Sequence, residues 1–338
     1  MKKILVLTSD DANGSSGQQP RKDLPGIARA AQGEMYHIKK AAQRGMVGKL
    51  IFALRLLSLG AFSKSVCAFL SPSELIGIPV ALGKAVLHNR VPHIMVGHKL
   101  YTPQRIRMIR QRLLLEQMNQ IVVITRKHQE ILRGAIPGGD AQRVIYHPHA
   151  IDEQFFRSTQ NADGEYILAV GLELRDYATL IPALEQAGLP ARILASSSWS
   201  PKGTRPYQGR WPDNIQRMPN LSYVELRRLY EQARFIVLAL VPTVQGAGAT
   251  AALEAMAMGK AVIASDVPGI VDYVRNEQNG ILVAPENVEG LSEAIKSLWF
   301  DPERAMRLGR EGRCMVEQEF SLDDYIQFFA SMLGEIAN

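Results

Sequence analysis

The chain holds only two cysteines, Cys67 and Cys314, far apart in sequence. That excludes a disulfide framework and points to a reducing compartment. There is no Cys/His cluster at ligand spacing, so a bound catalytic metal is not expected. No apolar run approaches the length of a membrane-crossing helix, about 20 residues. The opening residues, Met1-Lys-Lys-Ile-Leu-Val-Leu-Thr-Ser9, carry too short an apolar run for a signal peptide and read as a first strand. Internal repeats of solenoid period and low-complexity segments are absent as well. Acidic residues are missing between Met35 and Ser73, where Lys39, Lys40, Arg44, Lys49, Arg55 and Lys64 stand.

That last absence belongs to a wider asymmetry. Residues 1–153 contain 22 Lys/Arg against 10 Asp/Glu, while the whole chain carries +6. The first half is therefore basic and the second acidic, which suggests an anionic partner for the first half alone. Nucleic acid, an anionic membrane surface and a charged acceptor all fit that description. Within the acid-free stretch, residues 50–62 form an apolar segment with a basic rim. It reads equally as a helix lying in a membrane interface and as a core helix with a solvated edge.

What is present is a long chain with two cores' worth of apolar residues: 338 residues, 46% hydrophobic. Strand-like and helix-like segments alternate along it, which predicts a doubly wound parallel sheet in each half. Strands are expected at 3–8, 65–70, 93–97, 120–125 and 143–147. Ser71-Pro72-Ser73-Glu74 reads as a capping box opening a helix to about residue 87. A basic helix is expected over 104–117, with Arg105, Arg107, Arg110 and Arg112. Residues 9–25 read as a polar loop, and 157–164 as a linker. The second half restarts with a strand at 166–171. A strand at 192–195 precedes a long polar loop over 196–219. A short helix is expected after Asp266, and a helical tail from Pro302, its last helix opening near Ser321.

The stretch 234–269 organises the rest. Residues 235–240 read as a buried strand. A loop of small residues follows, Gln245-Gly246-Ala247-Gly248-Ala249-Thr250, then a helix over 251–258 stopped by Gly259, then a second buried strand at 260–264. Such a loop brings free N–H groups and the positive end of a helix dipole to one spot, which suits a phosphate. Glu254 is the one carboxylate in that helix. On a solvated face it would need no explanation. Among apolar neighbours it needs a partner, and a ribose diol would serve.

Glu254-Ala-Met-Ala-Met-Gly-Lys-Ala-Val-Ile-Ala-Ser265 followed by Val267-Pro-Gly269 resembles the donor-site signature of the retaining glycosyltransferases of family four. That resemblance implies the GT-B fold: two Rossmann-like α/β domains facing across a cleft, with the last helix crossing back to the first. It places an N-terminal acceptor-binding domain at 1–156, a nucleotide-sugar-binding domain at 157–320 and the returning helix at 321–338. It implies a UDP- or GDP-type nucleotide-diphospho-sugar donor, a glycan or lipid-linked acceptor of cell-envelope polysaccharide or glycolipid synthesis, retention at the anomeric carbon, no metal and no other cofactor. No nucleic acid partner is implied. The location implied is cytoplasmic, with peripheral attachment to the inner face of the membrane.

Residue by residue, the resemblance puts Glu254 on the nucleotide ribose and Gly246, Gly248, Ala249 and Thr250 at the donor. Arg175 aligns with the lysine that holds the donor diphosphate, and its guanidinium can grip a pyrophosphate through two hydrogen bonds. His98, ending a strand of the first half, falls where the family has a histidine close to the donor sugar. The segment from His147 to Phe156 resembles the family's interdomain stretch, with His149 where it usually has asparagine. Two positions depart from the pattern. The first of its two glutamates, eight residues before Glu254, is Gly246 here, and its phosphate-binding arginine is Leu172. A second reading therefore stands beside the first: a non-catalytic nucleotide-sugar or glycan-binding protein of the same fold. An epimerase or phosphorylase of this architecture is a third.

Overall fold

The computed structural model describes residues 3–8, 19–37, 66–136, 138–158, 164–195 and 203–337. The 50–62 segment and the basic residues from Lys39 to Lys64 lie outside them. The chain divides into two compact units, one of residues 3–8 and 22–148 with the last helix, the other of residues 149–322 with a few residues near position 20.

Among the described residues, the N-terminal unit is a six-stranded, wholly parallel sheet. Its strands are β1 (Lys3–Thr8), β2 (Glu34–His37), β3 (Val66–Ser71), β4 (His93–Gly97), β5 (Gln120–Val123) and β6 (Val144–Tyr146), in the order β2-β1-β3-β4-β5-β6. The helices are α1 (Asp23–Ala30), α2 (Glu74–Val86), α3 (Pro103–Ile109), α4 (Arg112–Leu115) and α5 (Arg126–Ala135). The last helix of the chain, Leu322–Ala337, joins this unit, where Phe328 stacks on His147 with ring centres 3.9 Å apart.

The C-terminal unit repeats the plan. Its strands are β7 (Tyr166–Val170), β8 (Ala191–Leu194), β9 (Ile215–Arg217), β10 (Ala233–Leu238), β11 (Val262–Ser265) and β12 (Gly280–Val283), in the order β12-β11-β10-β7-β8-β9. Helices α6 (Tyr177–Ala187), α7 (Tyr223–Gln232), α8 (Ala249–Ala257), α9 (Val288–Trp299) and α10 (Pro302–Glu319) surround it. Side chains alternate along a strand, and here both faces are covered, so the strands are apolar throughout. Tyr166, Leu168, Ile236 and Leu238 point into one core with α7, α8 and α10. Ile167, Ala169, Phe235 and Val237 point into the other, with α6 and α9.

Several local expectations are corrected. The expected 104–117 helix breaks at Arg110 into α3 and α4. Ser71 does not cap α2. It ends β3, and its hydroxyl is taken by the ring of buried His93 at 2.8 Å. The helix opens at Glu74 behind Ser73, with no side-chain cap. The residues after Asp266 form turns rather than a helix, and the loop before Pro219 contains β9. Part of the expected loop before Pro25 is the start of α1.

One long side chain ties the C-terminal unit together. Arg313 of α10 directs Nη1 at the carbonyls of Glu153, Phe156 and Ala257, at 2.9, 3.1 and 2.7 Å. Its Nε also pairs with exposed Glu317 at 2.7 Å. Hydrogen bonds from a charged donor to buried carbonyls outweigh an exposed ion pair. Arg313→Met should therefore cost this unit about 2–4 kcal/mol in urea unfolding, and Glu317→Gln about 0.5 kcal/mol or less. Equal losses would show that the ion pair, and not the carbonyl contacts, carries the stability.

Candidate functional site

In the C-terminal unit β8 and β9 run off to one side of β7 and β10 to β12 to the other. The strand order therefore reverses between β7 and β10. Open parallel sheets bind ligands in the crevice beyond the carboxyl ends of the strands at such a reversal. Two loops line it here, 171–176 after β7 and 239–248 after β10. They are joined backbone to backbone: the Asp176 N–H donates to the Ala239 carbonyl at 3.0 Å, and the Val241 N–H to the Leu174 carbonyl at 3.1 Å.

The first loop exists to seat Arg175. Gly171 has φ +97°, a left-handed conformation, and an added Cβ there would lie 2.5 Å from Arg175 Nη2. Only glycine lets the guanidinium lie so close to the backbone. Arg175 is buried, its Nε donating to the Val170 carbonyl at 2.9 Å and Nη1 to the Glu173 carbonyl at 3.1 Å. Those bonds use two of five donors. Burial pulls its pKa down from the ordinary arginine value, and Tyr177, Tyr230, Glu173 and Glu254 oppose that. An arginine keeps its charge regardless.

The second loop ends at Gly248, which has φ +81° and stands as the N-cap of α8 with no side chain capping it. A serine or asparagine cap would occupy the first-turn amides with its own oxygen. The Ala249 N–H turns back to the Gly246 carbonyl at 3.3 Å. Of the expected donors, the amide of exposed Thr250 is thus the better placed for an anion. Gln245 is anchored sideways, its amide nitrogen 3.4 Å from a carboxylate oxygen of Glu173. The Pro268-Gly269 turn holds the loop from below, the Gly269 N–H donating to the Thr243 carbonyl at 3.1 Å.

Glu254 lies on a buried stretch of α8, as its alanine neighbours predicted. Its partner within the protein is Tyr230 of α7, whose hydroxyl donates to Oε2 at 2.7 Å. Burial lifts the carboxyl to about 7, although the Tyr230 hydrogen bond and the charge of Arg175 pull the other way. Partial burial, and then the charge of the same carboxylate, raise the phenol of Tyr223 at the start of α7. Tyr230 was not identified from sequence. It lies 24 residues from Glu254 on another helix, and no local pattern joins the two.

The structure thus brings Arg175, Gly246, Gly248, Ala249, Thr250 and Glu254 into one unit, on loops and a helix at one end of its sheet. Leu172 is partly buried against the α6 and α9 core, and its carbonyl accepts from Thr204. His98 belongs to the other unit, just past β4. Its N–H donates to the Glu74 carboxylate at 2.9 Å. Its ring Nε2 stands 3.0 Å from the Pro72 carbonyl, so Nε2 carries the proton. Glu74 also holds Arg105. Among the described residues, no three His, Cys, Asp or Glu side chains are grouped to share a metal ion.

Residues 209–315 match the family model described as glycosyl transferases group 1. Glycogen synthase of Mycobacterium tuberculosis is 34% identical over 101 residues, which are 30% of this chain and 24% of that protein. The chain spans about a quarter or less of the length of the first curated relatives it matches. Whole-chain likeness is structural. Sucrose-phosphate synthase of Thermosynechococcus elongatus superposes with a TM-score of 0.76 at 17% identity, covering 99% of both chains. Anabaena HepE, solved in complex with UDP and glucose, gives 0.73 at 14% identity, covering 99% of this chain and 100% of that one. These likenesses establish the two-domain GT-B fold.

The raised carboxyl has a direct consequence for stability. Between the unfolded value, about 4.3, and about 7, folded Glu254 binds a proton that the unfolded chain lacks. Its stabilising contribution is complete below that window and is lost as pH rises through it. Removing the charge with Glu254→Gln should therefore change stability little at pH 5. At pH 8 it should raise the stability of the ligand-free protein by up to the order of 3 kcal/mol. Thermal melts at the two pH values measure this, and a pH-independent effect would place Glu254 in a solvated setting.

Proposed function

We propose that this chain, a GT-B protein of the group 1 glycosyltransferase type, transfers a glycosyl group from a nucleotide-diphospho-sugar bound in its C-terminal unit. One observation carries the reading. A buried arginine after β7 and a buried carboxylate on α8, 79 positions apart in sequence, are brought to the end of the sheet where the strand order reverses, with the uncapped N-terminus of α8.

In this reading the ribose hydroxyls donate to Glu254 at the oxygen not engaged by Tyr230. Tyr223 offers a ring face to the base. The diphosphate lies between the Arg175 guanidinium and the amides of Gly248 and Thr250, with the α8 dipole behind them. As the bond to the sugar breaks, negative charge grows on the leaving diphosphate. Donors already fixed in place stabilise that charge without reorganising. The loops are held by their own backbone bonds, so the site is arranged before the donor arrives. This assigns charge neutralisation to Arg175 and the helix amides and uses no metal. A uridine nucleotide is the donor to try first, because the structurally similar HepE was solved with UDP and glucose. His98 is assigned to the sugar or the acceptor, and a glycan or lipid-linked acceptor with retention at the anomeric carbon completes the reading.

The substitution of glycine at position 246 favours one second reading, a nucleotide-sugar-binding protein without turnover. No carboxylate stands there to hold the donor sugar. Thermal shift with UDP-glucose and GDP-mannose, run beside an assay for released UDP or GDP, separates the two. Stabilisation with release supports the transferase. Stabilisation without release under any acceptor supports the binder, and no stabilisation by any nucleotide sugar overturns both.

Two variants test the assignments. Glu254→Ala should weaken UDP-glucose by about 1.5–3 kcal/mol. In the wild type, affinity should rise from pH 6 to pH 8 as Glu254 ionises, because hydroxyls donate better to a carboxylate. UDP-glucose is the probe because its diphosphate does not titrate in that range. Arg175→Met should weaken UDP but leave uridine unchanged. Equal loss for both would give Arg175 a structural role only.

A further inference from the structure

The loop after β7 reads Gly171-Leu-Glu-Leu-Arg-Asp176. Apolar and charged side chains alternate along it, and the fold sends them different ways. Leu172 packs on the α6 and α9 core, and Leu174 on the core shared by α7, α8 and α10. Leu174 holds φ +55°, a left-handed conformation uncommon for leucine. Residues 203–205 pin the loop in that shape. An added Cβ at Gly203 would collide with the Leu174 side chain, and the Thr204 hydroxyl donates to the Leu172 carbonyl. The Arg205 N–H donates to the Arg175 carbonyl at 2.9 Å. Backbone strain of this kind persists only where the surroundings impose it, and it gathers where a side chain must be aimed.

Two carboxylates stand on this loop, and one is spent. Asp176 caps α6, its oxygens accepting from the Thr179 N–H at 3.1 Å, the Thr179 hydroxyl at 2.7 Å and Arg205 at 3.0 Å. The other, Glu173, is partly buried and reaches the loop after β10, where its Oε1 meets the Gln245 amide at 3.4 Å. The carbonyl of the same residue holds Arg175 Nη1. Burial lowers the Arg175 pKa, and Glu173 joins Tyr177 and Tyr230 in opposing that. A carboxylate is thus set beside the group assigned to the diphosphate. The loop after β10, residues 239–248, has no acidic residue of its own, and its position 246 is glycine.

We propose that Glu173 binds hydroxyl groups of the donor sugar, and that its charge restricts the donor to an uncharged sugar. This rests on the donor-site reading above. An ionised diphosphate has no hydrogen to give a carboxylate and is repelled by it, so Glu173 does not serve the phosphates. The sugar hangs from the diphosphate, and the group beside Arg175 is the one it meets. Its hydroxyls donate, and a charged acceptor holds them about twice as strongly as a neutral one. The Gln245 contact at 3.4 Å is long, whereas a hydroxyl approaches a carboxylate to about 2.5–2.7 Å. A carboxylate has about four acceptor sites, so Gln245 and a hydroxyl can share it. A uronic acid would set its own carboxylate against Glu173, the kind of repulsive contact by which a site rejects a competitor. The carboxylate that position 246 lacks is in this way supplied by the facing loop.

Isothermal titration of the full chain with UDP, UDP-glucose and UDP-glucuronate tests this, with GDP, GDP-mannose and GDP-mannuronate run in parallel. In the wild type the uronate should bind about tenfold more weakly than the neutral sugar nucleotide. Glu173→Ala should weaken the neutral sugar nucleotide by about tenfold or more. It should leave the bare nucleoside diphosphate equal or tighter, because a negative charge near the diphosphate is gone. Glu173→Gln keeps the shape and the Gln245 contact, and should bring the uronate to within about twofold of the neutral sugar. Gln245→Ala removes the tie and spares the carboxylate, so no ligand should change by more than about threefold. A loop that merely lost its shape would weaken the diphosphate and the sugar nucleotide together, and that result overturns the proposal. So does a gap between neutral sugar and uronate that Glu173→Gln leaves unchanged, or a loss in Gln245→Ala equal to that in Glu173→Ala. Wild-type protein that binds neither UDP nor GDP would instead overturn the donor-site reading itself, before any variant is compared.

Discussion

Burying opposite charges is costly, and the C-terminal unit does so with Arg175 after β7 and Glu254 on α8. Arg175 and Glu254 each lose solvation that Coulomb attraction repays only in part. The carboxyl rises to about 7 for that reason. The surroundings share the load: carbonyls of residues 170 and 173 take the guanidinium, and Tyr230 takes the carboxylate. Gly171 and the cross-bonded loops after β7 and β10 then serve to hold those partners in register. A site kept rigid by its own desolvated charges gives a phosphate and a ribose fixed groups to meet.

The same economy of charge governs the N-terminal unit with the opposite result. One carboxylate is spent inside, Glu74 on Arg105 and the N–H of His98, while Glu116 pairs with Arg112 at the surface. Arg107 and Arg110 face outward beside exposed Met108 and Leu113. One unit concentrates fixed positive charge in a crevice, and the other spreads it over a face.

Element alternation and the strand-loop-helix unit around Gly248 were legible because each is local. Parallel strands covered on both faces must be apolar, and a glycine before a run of alanines starts a helix. Where sequence reading failed, a distant group competed for a local one. Ser71 looked like a cap, but His93, 22 residues on, takes its hydroxyl. Positions 104–117 looked like one helix, yet α3 and α4 separate so that Ile109 and Leu114 can both enter the core. The residues after Asp266 form turns, and the Gly269 N–H there is taken by the carbonyl of Thr243 on another loop.

By itself the sequence determined that the helix around Glu254 is apolar, because that follows from its nearest neighbours. It also set the basic first half, since net charge depends on composition alone. Only the tertiary structure decided that Tyr230 completes Glu254, that the Arg175 guanidinium lies on Gly171, and that Ile78 is core while Leu82 faces out. Leucine and isoleucine have nearly the same hydrophobicity. Which of them meets water is fixed by where β4 lies against α2, through contacts between residues far apart in the chain.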